Sequence, residues 1–242
     1  SWLDQPDQDG QLWKNHPIAV DPVVHRIQWG DLDGDGRKEL VHAPIFGRGS
    51  KANVDTKPVN FWAFRPPENP AEEEWEIWKI DPSLTVFHGV SVEEIDNDGR
   101  DEILTASYEG VHIFDYEGEP GNGQWKKTHI SPGAEPEGPE PGAKRGTSEV
   151  AHGRLRTGRE IIATVEPWHG DNAVVYVRNL EGEWKRTVLD DTILGGHAVV
   201  IADFDDDDSD EIVVGWRRGE GGLAMYDSAH NFGEQWRKTT ID

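Results

Sequence analysis

Asp31, Asp33, Asp35 and Glu39 stand on alternating positions of GDLDGDGRKEL (30–40), with Gly34 and Gly36 between them. Four carboxylates this close repel one another unless a cation sits among them. Positions 1, 3, 5, 7 and 9 of the loop would offer Asp31, Asp33, Asp35, the Arg37 carbonyl and Glu39. Alternating oxygens around a glycine-permitted turn suit a hard cation with contacts of about 2.3–2.6 Å, hence Ca²⁺. The same chemistry returns in EEIDNDGRDEI (93–103) as Glu94, Asp96, Asp98, the Arg100 carbonyl and Glu102. It returns again in ADFDDDDSDEI (202–212) as Asp203, Asp205, Asp207, the Ser209 carbonyl and Glu211. None has the twelve-residue span or the flanking helices of an EF-hand. In the second loop Glu replaces the leading Asp, and in the last Asp208 replaces the turn glycine. The alternative for each loop is a solvated acidic hairpin without metal, more so for these two than for the first. A shorter copy, HGRLRTGREI (152–161), puts Arg154 and Arg156 where ligands would stand, so no metal is expected there.

Histidines keep step with the loops. Eight residues before Asp33, Asp96 and Asp205 lie His25, His88 and His197, and the same count back from Arg156 reaches Ser148, followed by Glu149. Further polar and aromatic groups occur where the next strand of each repeat should end: Ser107 and Tyr108, then Glu166, Trp168 and His169 in EPWHG, then Trp216, Arg217 and Arg218 in GWRRGEGG. Two chemistries fit. Neutral imidazoles with a carboxylate hold Zn²⁺ or another divalent ion as a Lewis acid with an open position. Alternatively, His and Tyr act as general base and acid beside a carbonyl, with Arg217 steadying the developing charge. The expected catalytic set is His25, His88, Tyr108, His169, His197 and Arg217. Arg26, Ser148, Glu149, Glu166, Trp168 and Trp216 are the expected substrate contacts. A row of in-phase histidines is also what a structural repeat consensus would give; Ser148 breaks that row, and Glu149 and Glu166 add charge beside it.

These groups need a scaffold that repeats. A second motif, Trp followed five residues later by Ile or Leu, recurs as Trp13/Ile18, Trp75/Ile80, Trp125/Ile130, Trp184/Leu189 and Trp236/Ile241. Each repeat reads as four short strands with the acidic loop between the first two, as in FHGVSVEEID, DEILTASYE, GVHIFDYEG and QWKKTHI. That is the pattern of an all-β propeller of four-stranded antiparallel blades. A β-sandwich is the rival fold, disfavoured because two independent motifs keep one phase. The expected organisation is a single domain over 1–242, with blades near 21–80, 84–131, 146–190 and 195–242 and a surplus outer strand over 10–20. The last blade already has its own outer strand, so the chain is expected to be part of a larger ring or to self-associate. Innermost strands line the channel of a propeller. The histidines should therefore converge at one mouth, with the acidic loops at the opposite end.

Composition narrows the function. A formal net charge of -23 argues against nucleic acid and anionic membrane surfaces. No Cys is present, which excludes disulfides and thiol chemistry. No run approaches the roughly 20 apolar residues of a membrane span. Fifteen Pro and 27 Gly, with eleven Trp, suit many short strands joined by tight turns. A secreted or extracytoplasmic location is expected, although Ser1 opens no signal peptide.

The acidic loops resemble the calcium loops of FG-GAP and VCBS repeats, found in integrin-type propellers and many secreted bacterial proteins; this resemblance implies a fold rather than a function. The stretches HRIQWGDLDGDGRKELV, HGVSVEEIDNDGRDEIL, GTSEVAHGRL…REIIATVEPWHG and GGHAVVIADFDDDDSDEIVVGWR resemble the propeller of aldos-2-ulose dehydratase/isomerase and its bacterial relatives. That resemblance implies a seven-bladed propeller, metal-dependent sugar dehydration and a site at the channel mouth. The matching positions are His25, His88, His169 and His197, with Tyr108, Glu149 and Glu166 nearby. The chain departs from the family in having about four blades and no cupin domains. Ulvan lyases are a more distant parallel in fold and His/Tyr elimination chemistry. The implied ligand is a carbohydrate.

Overall fold

A computed structural model describes every residue except Asp7, Pro22, Asn231 and Asp242. Strand runs rich in β-branched residues, broken by Gly and Asp turns, form eighteen strands and no helix among the described residues. β1 (Trp2–Asp4) and β2 (Lys14–His16) pair as a separate ribbon. Four antiparallel sheets follow, each in chain order from inside outward. Blade 1 is β3 (Val24–Gly30), β4 (Glu39–Pro44), β5 (Phe61–Arg65) and β6 (Glu76–Asp81). Blade 2 is β7 (Gly89–Glu93), β8 (Glu102–Ser107), β9 (Gly110–Glu119) and β10 (Asn122–Ser131). Blade 3 is β11 (Val150–Arg154), β12 (Glu160–Glu166), β13 (Asn172–Arg178) and β14 (Trp184–Asp190). Blade 4 is β15 (Gly196–Ala202), β16 (Glu211–Trp216), β17 (Gly222–Ser228) and β18 (Trp236–Thr240).

The strand placed over 10–20 from sequence is β2, shorter than expected, and it pairs with β1 rather than with a blade. Trp2 stacks on His16 at 4.3 Å, while Trp13 stays exposed.

Blades stack through their faces. The side of blade 1 carrying Val41, Phe61, Ala63 and Trp78 meets the side of blade 2 carrying Ile103, Phe114 and Tyr116. Phe61 sits edge-on to both Phe87 (4.8 Å) and Phe114 (5.1 Å). Each such buried Phe contributes about 1.5–3 kcal/mol. Ile162, Val174 and Tyr176 of blade 3 close on Leu104, Ala106 and Val111 of blade 2. Ile212, Val214, Ala224 and Tyr226 of blade 4 close on Ile161, Ala163 and Val175 of blade 3. Strands with both faces covered, such as β12 and β13, are apolar almost throughout.

The interblade approaches are β3 with β7, β7 and β8 with β11, and β11 and β12 with β15; no comparable approach joins blades 1 and 4 among the described residues. Each terminal blade leaves a face unstacked. On blade 4 the cross-strand rows Val200–Val213–Met225 and Ala198–Gly215–Leu223 look outward, with Val200 53% and Leu223 41% exposed. On blade 1 the row Trp29–Leu40–Phe64–Ile77 does so at its ends, with Trp29 and Ile77 near half exposure, while Leu40 and Phe64 between them are buried.

Candidate functional site

In blades 1, 2 and 4 the inner strand starts beside a histidine at the mouth and runs into an acidic loop. Blade 3 starts from Ser148 and Glu149, runs into the loop bearing Arg154 and Arg156, and brings its histidine, His169, from just after β12. The loops turn through two left-handed residues: Gly34 and Gly36 in loop 1, Asn97 and Gly99 in loop 2, Asp206 and Asp208 in loop 4. Only Gly adopts that region freely; Asn and Asp tolerate it. The leading carboxylate then accepts backbone N–H groups. Asp31 receives them from Asp35 and Gly36, Glu94 from Asn97, Asp98 and Gly99, and Asp203 from Asp207 and Asp208. The longer Glu94 side chain thus fills the role of the leading Asp. The ninth-position glutamates are buried, and each accepts the N–H of the loop's second residue through Oε2: Glu39 from Leu32, Glu102 from Ile95, Glu211 from Phe204. Burial pushes Glu39 and Glu102 up to about 7 and raises Glu211, with neighbouring carboxylates adding to the effect. Asp31, Asp33 and Glu39 bring ligand oxygens within 4.8 Å of one another, as do Glu94, Asp96, Asp98 and Glu102, and as do Asp203, Asp205 and Glu211. Asp35 and Asp207 fall outside these sets, Asp35 tied to Arg65 and Asp207 to Arg156. In the third loop Arg154 donates to the Ile95 carbonyl, so both arginines of that loop reach toward neighbouring loops.

At the other end four imidazoles meet. His88 Nε2 lies 3.1 Å from His25 Nε2 and 2.9 Å from His169 Nε2. The His197 ring is 5.0 Å from His88 and 4.8 Å from His169 between centroids. His88, His169 and His197 offer ligand atoms within 4.8 Å of one another. His88 is fully buried; its Nδ1 is 3.1 Å from the Ser148 carbonyl and 2.9 Å from Glu149 Oε1. The carbonyl accepts only from an N–H, so the His88 proton sits on Nδ1 and the lone pair of Nε2 faces its neighbours. The same Glu149 oxygen is 3.3 Å from His197 Nδ1 and 3.0 Å from Arg26 Nη2. Arg217 Nη2 lies 3.4 Å from His169 Nδ1. His169 holds a left-handed backbone (φ 49°), a conformation that costs a non-glycine residue about 1–3 kcal/mol and clusters at functional sites.

The electrostatics keep His25, His88 and His169 neutral. Burial holds His88 down to about 3 and His169 to about 3, each pushed further by neighbouring imidazoles and Arg217. Burial and then His88 take His25 to about 4. Burial raises the Glu149 carboxyl, with Arg26 and His197 opposing.

Not every expected residue joins this group. Glu166 faces away: it is fully buried, accepts from Thr164 Oγ1 and Tyr176 Oη, and pairs with Arg186 at 2.7 Å. Its place at the end of β12 turns it toward the outer strands, so it lies off the rim where the sequence pattern put it. Tyr108 is buried one layer behind, between Arg145 at 4.4 Å and Trp168 at 5.8 Å. Trp168 stacks on His169 at 4.6 Å, and Trp216 packs on the core between blades 3 and 4 with Lys238 over its ring. Ser148 contributes chiefly its carbonyl. Sequence reasoning missed Lys144, which donates to the His169 carbonyl, and Arg65, 32 residues along the chain from Asp33 yet 2.8 Å from it. Beside the cluster, His197, Trp216, Arg217, Glu220 and Leu223 line a cleft of about 560 Å³.

A solved structure of a protein of unknown function from Dyadobacter fermentans DSM 18053 superposes with a TM-score of 0.51 over 97% of this chain and 70% of that one. Identity is 13%, a likeness of fold alone. No curated protein matches. The model of the aldos-2-ulose dehydratase β-propeller domain matches residues 1–179, which takes in blades 1 and 2, blade 3 through β13, and His25, His88 and His169 of the cluster. With most of its 242 residues under that match, the chain belongs to the aldos-2-ulose dehydratase β-propeller domain family.

Proposed function

We propose that this chain is the propeller of a carbohydrate lyase or dehydratase, eliminating water or an alkoxide from an oxidised sugar at the histidine mouth. The observation that carries the reading is the approach of His25 and His169 to His88 Nε2, with ligand atoms of His88, His169 and His197 within 4.8 Å of one another and the far nitrogen of His88 fixed by Ser148 and Glu149. That is how a metal-binding imidazole is oriented by a carboxylate behind it. Imidazoles held near 3 to 4 are weak bases at neutral pH, but they stay unprotonated, as a ligand must. The donor set of neutral nitrogens suits Zn²⁺ or another divalent ion, which supplies Lewis-acid chemistry when bound.

The chain's own groups do the rest. Glu149 orients His88 and His197 and balances Arg26. Arg217 brings a guanidinium to the border of cluster and cleft, where it would steady an enolate-like oxygen. The cleft has the size of a small-molecule site. In the elimination, the proton beside the sugar carbonyl passes to a base. The C–O bond on the next carbon breaks with its electron pair, the departing oxygen takes up a proton, and a C=C bond forms. His197, at the junction of cluster and cleft, would take the first proton where the ion is held by the other imidazoles and leaves its lone pair free.

The second reading is a non-catalytic carbohydrate- or protein-binding propeller, or a truncated or reassembled propeller fragment; a binding propeller would use Trp168 and Trp216 as stacking platforms. The Trp168 ring is engaged by His169, whereas Trp216 lines the cleft; it is the histidine cluster rather than the tryptophans that favours the lyase. The acidic loops are read as structural Ca²⁺ staples, in keeping with an extracytoplasmic setting. The buried Oε1 atoms of Glu39, Glu102 and Glu211, which have no hydrogen-bond partner, support that reading.

The test is turnover of a panel of aldos-2-uloses by Zn²⁺- or Mn²⁺-loaded protein, followed by the near-ultraviolet absorbance of the unsaturated product. His88→Ala should abolish both ion binding at the mouth and product formation, and leave bound calcium unchanged. A loaded wild-type protein that turns over no member of the panel, or a fully active His88→Ala variant, would defeat the lyase reading.

A further inference from the structure

The second and third strands of every blade pair in one register: Leu40 with Phe64, Ile103 with Phe114, Ile161 with Val177, Ile212 with Tyr226. One step along, the residue opposite the loop glutamate is therefore Arg65 in blade 1, Asp115 in blade 2, Arg178 in blade 3 and Asp227 in blade 4. The sign of the charge alternates from blade to blade.

In blade 1 the guanidinium fills the loop. Arg65 Nη1 is 2.8 Å from Asp33, Nη2 pairs with Asp35, and Nε is 3.8 Å from Glu39 Oε1. Its side chain is only 15% exposed and lies against Trp78 at 5.1 Å, so it is held in place. In blade 3 Arg178 pairs with Glu160 in the same relation.

Blades 2 and 4 have the opposite arrangement. Glu102 and Glu211 are 2% and 1% exposed, and the Oε1 of each has no hydrogen-bond partner. The Oε1 of Glu39 in blade 1 has none either, but there the Arg65 guanidinium faces it at 3.8 Å, and blades 2 and 4 have no such cation opposite the glutamate. Glu102 and Glu211 both belong to the sets whose oxygens converge within 4.8 Å. Asp115 and Asp227 add a carboxylate where blade 1 has its arginine. The cations near these loops are held loosely by comparison: Lys126 beside Asp115 is 55% exposed, and Arg156 beside Asp207 is 49% exposed. A buried carboxylate oxygen with no donor is an expensive arrangement unless a cation meets it.

We propose that Asp115 and Asp227 select loops 2 and 4 as the divalent-cation sites, while Arg65 serves loop 1 as a built-in counter-cation. The inference rests on reading the acidic loops as calcium staples and says which of them are. It reverses the order suggested by the loop sequences, in which loop 1 is the most regular. Other contacts follow the same two-blade period. Asp101 accepts from the Asp31 N–H at 2.8 Å and returns its own N–H to the Asp31 carbonyl; Asp210 does the same to Arg154. Lys127 reaches Asp81 across blades 1 and 2, and Lys238 reaches Asp190 across blades 3 and 4. The repeating unit is thus a pair of blades, with the cation site on the second of each pair.

Calcium alone is the probe, titrated into chelator-stripped full chain by calorimetry, with bound ions counted by equilibrium dialysis and elemental analysis. Two ions per chain are expected. Asp115→Asn and Asp227→Asn should each weaken one site by about tenfold through the lost negative charge beside the ligands; Asp115→Arg and Asp227→Arg should each remove one ion. Arg65→Gln should add a third. Three ions in the wild type, or loss of an ion on Asp33→Asn in the wild-type background, overturns the selection while leaving the calcium reading intact. No bound ion in the wild type overturns both. The loss-of-site variants decide the matter if Arg65→Gln does not fold.

Discussion

Glu149→Gln separates what the histidine mouth needs for folding from what it needs for binding an ion. The substitution keeps shape and removes charge. One oxygen, Oε1, touches His88 Nδ1 at 2.9 Å, His197 Nδ1 at 3.3 Å and Arg26 Nη2 at 3.0 Å. A carboxylate behind a ligating imidazole is worth about 10–100-fold in metal affinity, which is about 1.4–2.7 kcal/mol. Two imidazoles depend on this one group, so the upper half of that range is expected for Zn²⁺ or Mn²⁺. Stability should move much less. The carboxylate is 8% exposed, and its burial already works against its charge. The amide oxygen can still accept from His88 or Arg26, so the ion-free variant should melt within a few degrees of wild type. Isothermal titration of the stripped protein at neutral pH, paired with differential scanning fluorimetry, measures both quantities. A variant that binds the ion as tightly as wild type while His88→Ala does not would refute the argument that Glu149 orients the cluster. A large drop in melting temperature with unchanged affinity would make Glu149 a structural residue.

Asp190→Asn should lower stability at neutral pH and flatten its loss in acid. Lys238, Thr192 and Tyr226 hold the Asp190 carboxyl below its ordinary value against the effect of burial, so its contribution is present above the unfolded pKa and lost as pH falls through the folded one; urea midpoints from pH 7 down to 3 would show a parallel decline in both proteins if the clasp were idle. Asp208→Gly should stabilise the protein by about 0.5–1 kcal/mol, because Asp208 holds a left-handed φ of 67° that Gly adopts without a Cβ penalty; an unchanged or lower denaturant midpoint counts against it. The outward faces of blades 1 and 4, with Trp29, Ile77, Val200 and Leu223 exposed, should drive self-association. Sedimentation velocity at micromolar concentration measures this, and a compact monomer at every concentration would set it aside.

Much of the scaffold was written in short-range periodicity. The acidic loops recur in phase, so counting back from Asp33, Asp96 and Asp205 found His25, His88 and His197 before any contact was known, and the structure brings these rings together. His169 came from its position at the end of a strand. The errors lie where parity or a turn decides direction. Glu166 sits two residues from Thr164 on the same side of β12 and is turned to Tyr176 and Arg186, a choice that side-chain alternation makes but composition does not show. Tyr108 occupies a tight turn behind Trp168. The partners of the loops were invisible for a different reason. Arg65, Asp115 and Asp227 lie on the third strand of their blades, and only the pairing register connects them to carboxylates far away along the chain.

The unjoined ends of the blade series have a consequence for how the protein comes apart. In a closed ring every blade has two neighbours, and no blade can leave first. Among the described residues of this 242-residue chain blades 2 and 3 have two neighbours each while blades 1 and 4 have one, so the stability of this stretch by itself is a sum of unit and nearest-neighbour contributions, as in a linear array. Such an array frays from its termini. Amide protons of β15–β18 and of β3–β6 should exchange by partial openings well below the global unfolding free energy, and those of β8 and β12 should be the last to exchange. The histidine mouth draws one ring or more from blades 1, 2, 3 and 4, so it is assembled only in molecules where neither end has opened. A ligand spanning the mouth would link the two terminal blades through itself and slow exchange at both ends at once.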